Sequence, residues 1–103
     1  MGEDQVMYSI IVRVTIVNSM KSITILFFAN LKDITGKREI MKEVSPELTI
    51  AELKEQLIQD FPGLDKYMPA VIFSINHEFA DNDADIPNKA EIAVFPPVSG
   101  GMK

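Results

Sequence analysis

Four stretches of the chain have apolar residues at every second position, the period of two that is typical of β-strands, and in the first stretch both faces are largely apolar. They are residues 22–29, 38–44, 71–75 and a last strand around Ile92 and Val94. Two prolines at 96–97 end the last strand, because proline cannot donate a hydrogen bond to a sheet. The Asn-His pair at 76–77 predicts a turn into a short or irregular strand at 78–79.

One longer segment has the spacing of an amphipathic helix. Thr49 begins it, since Thr49 followed by Glu52 forms a capping box. Its apolar residues recur every three or four positions: Ile50, Leu53, Leu57 and Phe61. A Pro-Gly pair at 62–63 ends this helix, and Gly36 ends a shorter helical turn predicted at 31–36.

The predicted order is strand, strand, helix, strand, short strand, strand. One main helix on one face of a mixed β-sheet gives an α+β fold of the ubiquitin-like β-grasp type. We expect the first and last strands to be neighbours in this sheet. The domain then spans residues 20–101, with a flexible C-terminal tail at 96–101 and an extension of two residues at 102–103.

Residues 1–19 form an N-terminal extension to this domain. Its apolar part, residues 8–17, is either an extra edge strand or an appendage outside the fold. A second plausible start at Met20, directly before the first strand, favours the appendage. The apolar stretch follows acidic residues and contains Arg13, so it is typical of neither a signal peptide nor a membrane span.

Composition and charge narrow the possible functions. The chain has 103 residues, 47% of them hydrophobic, and a net charge of -5, which indicates one small globular domain. We expect a cytoplasmic location, since nothing in the sequence argues against it. We expect no nucleic-acid or membrane partner, since the chain has no basic tract. It has no cysteine and one histidine, so we expect no metal site and no thiol nucleophile.

The end of the last strand carries the most specific motif. Residues 95–101 read Phe-Pro-Pro-Val-Ser-Gly-Gly. The prolines favour an extended backbone that leads the chain away from the sheet. The two glycines lack Cβ atoms, so they can enter a channel that admits only main chain.

This tail, with Leu-Phe-Phe-Ala at 26–29, the helix that begins at Thr49 and the turn at Asn76, resembles the MoaD-like sulfur-carrier family, the small subunits of molybdopterin synthase. The resemblance covers residues 20–101. It implies that a ubiquitin-activating-like adenylyltransferase uses ATP to adenylate Gly101, and that sulfur then replaces AMP. The resulting thiocarboxylate would donate sulfur to precursor Z for the dithiolene of molybdopterin, with no stably bound cofactor.

The resemblance also implies a partner. The large subunit of molybdopterin synthase would hold the catalytic groups in a heterotetramer, and this chain would be a sulfur donor with no catalysis of its own. Gly100 and Gly101 would enter the large subunit together with Val98 and Ser99, behind the stiff pair Pro96 and Pro97.

Three phenylalanines are candidates for docking. Strand alternation places Phe28 and Phe95 on the side of the sheet away from the helix. The family resemblance adds Phe79 and assigns all three residues to contact with the large subunit. The alternative is that these side chains cover a secondary core or pack under residues 1–19.

Met102 and Lys103 depart from the family pattern, in which the second glycine is the last residue. Either a protease removes both, or they do not belong to the natural protein, or this copy has lost carrier function. Two other functions stay open. One is a carrier or protein modifier of another pathway, such as thiamin or tRNA thiolation, and the other is a noncatalytic β-grasp binding module.

Overall fold

A computed structural model describes residues 20–97, which form one five-stranded sheet with helices on one side. In chain order the elements are β1 Lys21–Phe27, α1 Asn30–Thr35, β2 Glu39–Val44, α2 Ile50–Asp60, β3 Ile72–Ile75, β4 Glu78–Ala80 and β5 Glu91–Phe95. Two short 3-10 helices, Pro62–Leu64 and Met68–Ala70, connect α2 to β3.

The strand order across the sheet is β2-β1-β5-β3-β4. β1 and β5 pair in parallel, and the other neighbours pair antiparallel. This confirms the predicted mixed sheet and the predicted contact between the first and last strands. The molecule has the β-grasp fold.

The core lies between the inner face of the sheet and α2. Ile25 of β1 and Ile92 of β5 pair at the centre and are completely buried, as are three apolar residues of the helix, Ile50, Leu53 and Leu57. Just beyond α2, the Phe61 ring meets the Phe27 ring edge-on, with 5.7 Å between centroids. The predicted helical stripe is therefore the face that α2 packs on the sheet.

Two local signals that the sequence predicts, the capping box and the turn at residues 76–77, are present in the structure. The Thr49 hydroxyl accepts a hydrogen bond from the Glu52 amide, and the Glu52 carboxylate accepts one from the Thr49 amide, so the capping box is present. Asn76 and His77 both have positive φ, 50° and 75°, and form the tight turn between β3 and β4.

Several predicted strand boundaries differ from the structure by one or two residues, and two of these differences have a clear local cause. β1 ends at Phe27 rather than at residue 29, because Ala29 adopts φ 53° and ψ -134° and turns the chain into α1. β3 begins at Ile72, since the Val71 amide donates to the Met68 carbonyl and completes a 3-10 turn.

The prediction for the N-terminal extension falls on residues 1–19, which lie outside the described residues. β1 already pairs with β2 on one side and with β5 on the other. An added strand from residues 8–17 would therefore need the free edge of β2 or of β4. Within residues 20–97, no helix has the length and apolar character needed to cross a membrane.

Candidate docking face and tail

The face of the sheet opposite α2 carries the predicted phenylalanines. Cross-strand pairing aligns Leu26 with Ala93, Ala93 with Ser74, and Ser74 with Phe79. Residues directly opposite one another in a sheet share a face, so these four side chains form one row. We call the apolar side chains of this face the outer patch; it comprises Leu26, Phe28, Met41, Ile72, Phe79, Ala93 and Phe95.

Phe28 and Phe95 lie together at the end of the outer patch where β5 ends. Their rings stack at 4.7 Å between centroids with 12° between the ring planes. The Phe28 amide donates to the Val94 carbonyl at 3.1 Å, which holds the backbone of Phe28 beside the end of β5. Phe28 is 40% exposed and Phe95 is partly buried, so each ring covers part of the other.

Two other apolar side chains of this face are much more exposed. Phe79 on β4 is 83% exposed and Met41 on β2 is 71% exposed. These strands are the two edges of the sheet, so exposed apolar side chains reach both sides of the outer patch. Large exposed apolar surfaces of this kind mark sites of protein contact.

Met41 is the residue that sequence reasoning missed. The alternation of β2 groups Met41 with Glu39 and Glu43, and one methionine between two glutamates carries little signal. Pairing of Met41 with Thr24 places it on the same face as the phenylalanines.

The tail leaves the sheet at the outer patch. β5 ends at Phe95, and Pro96 and Pro97 follow as partly buried residues. The predicted carrier residues, Val98, Ser99, Gly100 and Gly101, lie outside the described residues. The structure thus places Phe28, Phe79 and Phe95 on one face of the sheet. Phe28, Phe95 and the first proline of the tail lie at the end of the sheet where β5 ends, whereas Phe79 lies level with the middle of β5.

Acidic side chains border the same face. Glu39 and Glu43 lie on β2, and Glu91 on β5 is in contact with His77 at 3.3 Å between Oε1 and Nε2. In the part of the chain that the structure describes, no three His, Asp or Glu side chains are grouped closely enough to hold a metal ion.

A β-grasp sheet whose last strand runs into a Gly-Gly tail defines a small ubiquitin-like carrier. The chain belongs to the ThiS family, whose model matches residues 25–101.

Relatives with assigned roles share one description. The protein from Arabidopsis thaliana is 28% identical over 81% of this chain and 86% of its own length, and the one from Caenorhabditis elegans is 31% identical over 80% and 100%. Each is a "Molybdopterin synthase sulfur carrier subunit".

Solved structures agree on the fold. SAMP1 from Haloferax volcanii superimposes with a TM-score of 0.68 at 26% identity, covering 78% of this chain and 99% of that one. A complex of subunits 1 and 2 of molybdopterin-converting factor from Helicobacter pylori contains a similar chain, with a TM-score of 0.57 at 20% identity, covering 78% and 99%.

Proposed function

We propose that this chain is the sulfur-carrier small subunit of molybdopterin synthase and acts in the cytoplasm. The observation that carries the proposal is the Phe-Pro-Pro-Val-Ser-Gly-Gly tail, which begins at an exposed apolar sheet face. The relatives described as molybdopterin synthase sulfur carrier subunits support this role.

The chemistry takes place at the carboxyl group of Gly101. A carboxylate is a poor electrophile, so the activating enzyme first joins it to AMP from ATP and releases pyrophosphate. A sulfur nucleophile then attacks the acyl carbon and AMP leaves, which gives a thiocarboxylate. The chain has no cysteine, so the glycine acyl group is the carrier of sulfur. Transfer of this sulfur to precursor Z returns the carboxylate.

Docking to the large subunit uses the outer patch. Phe28, Phe79 and Phe95 contact the large subunit, and Pro96 and Pro97 direct the tail toward its active site. Because proline has a fixed φ, these two residues reduce the conformational entropy that the tail loses when it is held. Burial of the exposed phenylalanine surface offsets the loss that remains.

The position of the terminal carboxylate provides the test. A chain that ends at Lys103 places the wrong carboxylate in an adenylation site shaped for glycine. We expect the form ending at Gly101 to be sulfurated and the full chain to remain unmodified. Each form is incubated with the activating enzyme, ATP and a sulfur donor, and its intact mass is measured. A form ending at Gly100 is the control for tail length. Equal sulfur uptake by the full chain and the Gly101 form would refute the proposal.

A second function is a protein modifier that joins its terminal glycine to lysine side chains. The likeness to SAMP1, a small archaeal modifier protein, favours this alternative. Thiamin synthesis and tRNA thiolation would use the same activated tail, whereas a noncatalytic binding module would not. Mass spectrometry of this chain from its host distinguishes the modifier from the module, since a modifier yields isopeptide-linked conjugates and a module keeps Lys103.

A further inference from the structure

A cleft opens beside Phe28, at the end of the sheet where the tail leaves. Its volume is about 270 Å³. Its lining combines apolar and charged side chains: Leu26, Phe27, Phe28, Ala29, Lys32, Arg38 and Glu39. Because Phe28 stacks on Phe95, the cleft is continuous with the outer patch.

Hydrogen bonds fix the backbone on both sides of the cleft. The Lys32 carbonyl accepts from the Gly36 amide at 2.9 Å, and the Arg38 carbonyl accepts from the Phe27 amide at 3.0 Å. Between them, the Thr35 hydroxyl donates to the Lys37 carbonyl and accepts from the Lys37 amide. The two cationic side chains therefore extend from an ordered backbone, and less entropy is lost when they are held by a partner.

The two cations of the cleft have no acidic partner among residues 20–97. The salt bridges in this part of the chain join Lys42 to Asp60 and His77 to Glu91. Lys32 and Arg38 are both exposed, and Lys37 lies next to them. Residues 32–38 contain three cations and one acid, Asp33, so in a chain with a net charge of -5 this segment has a net charge of +2 (3 − 1) beside the outer patch.

We propose that this cleft binds a carboxylate side chain on the surface of the large subunit, an inference that rests on the proposed function. A partner that covers the outer patch and holds the tail must also pass over this cleft. An aspartate or glutamate there places its methylene groups against Phe28 and Leu26. Its carboxylate lies between the ammonium of Lys32 and the guanidinium of Arg38, which suits bidentate contact.

Glu39 lines the same cleft, so its three charged side chains, Lys32, Arg38 and Glu39, sum to one positive charge. A group with a single negative charge, such as a carboxylate, neutralises that sum. The cleft adjoins the outer patch, where we propose that a protein partner docks, so the occupant is a carboxylate side chain of that partner.

Charge reversal tests the proposal. Lys32→Glu and Arg38→Glu each change the net charge by two, and Lys66→Glu in the connection between α2 and β3 is a control with the same change. Affinity for the purified large subunit is measured by calorimetry at low salt. We expect the Kd to rise about tenfold for each cleft variant and to stay within about twofold for Lys66→Glu. At about 1 M salt, where the Debye length is about 3 Å, the difference should largely vanish.

A charge swap identifies the partner residue. Arg38→Glu is combined in turn with Asp→Arg or Glu→Arg changes in the large subunit, and one combination should restore the affinity.

Equal Kd values for the cleft variants and Lys66→Glu would overturn the inference. So would weakened activation by the adenylating enzyme with unchanged affinity for the large subunit, which would assign the cleft to that enzyme. Phe79→Thr changes the outer patch away from the cleft, so it tests the proposed docking face separately from the proposed carboxylate site. Loss of affinity in Phe79→Thr alone rejects the cleft and keeps the docking face, and no loss in any variant rejects both.

Discussion

Replacing Phe79 separates docking from folding more cleanly than any other change on the outer patch. Phe79 is 83% exposed and belongs to a three-residue edge strand, where it pairs with Ser74. Phe79→Thr retains a residue that favours strands and removes the ring. Since little of the ring is buried in the free protein, we expect the free energy of unfolding to change by no more than about 0.5 kcal/mol.

The effect on docking should be much larger. A phenylalanine buries roughly 200 Å² when it is fully covered, and 83% of this residue is still exposed. Covering that surface would contribute up to about 4 kcal/mol at about 25 cal/mol per Å². Incomplete contact and ordering of side chains reduce this to about 2 kcal/mol. The expected result is a Kd for the large subunit that is about 30-fold higher.

The assay pairs calorimetric titration of the large subunit with chemical denaturation of the free chain. Glu78→Thr is the matched control, because Glu78 is exposed on the same strand and its side chain is on the opposite face. An unchanged Kd for Phe79→Thr would show that the large subunit does not bind the outer patch at β4. A loss of more than about 2 kcal/mol of stability would show that Phe79 supports the fold instead.

Three further changes test the fold by chemical denaturation. Ala29→Gly should raise the free energy of unfolding by about 1 kcal/mol, because glycine adopts φ 53° without strain; a lower stability would contradict the strained turn. Thr49→Ala should lower it by about 1 kcal/mol through loss of the helix cap, whereas Thr49→Ser retains the cap. Equal stabilities of these two variants would argue against the capping box. Leu57→Ala should cost about 2–5 kcal/mol, since Leu57 is completely buried, and a cost under about 1 kcal/mol would place it outside the core.

Much of the fold could be predicted from local patterns in the sequence. The helical stripe of α2, its capping box and its Pro-Gly end are read from neighbouring residues, and the structure has each of them in place. The positive φ of Ala29 could not be predicted from the sequence, because alanine rarely adopts this conformation. The turn there is set by the path from β1 into α1.

The candidate site could be predicted only where the alternation of side chains within a single strand assigns a residue to a face. Alternation placed Phe28 and Phe95 on one face without a structure. Met41 needs the pairing of β2 with β1 to be seen as part of that face. The cleft joins Lys32 of α1 to Arg38 near β2, and no spacing rule relates two elements that meet through a turn.

The central claim is that Gly101 carries sulfur for molybdopterin synthesis. The most direct measurement mixes the large subunit and precursor Z with the chain ending at Gly101, prepared either as the thiocarboxylate or as the carboxylate. We expect molybdopterin to form with the thiocarboxylate, in proportion to the amount of chain added, and not to form with the carboxylate. Absence of product with the thiocarboxylate, or equal product with both forms, would contradict the claim.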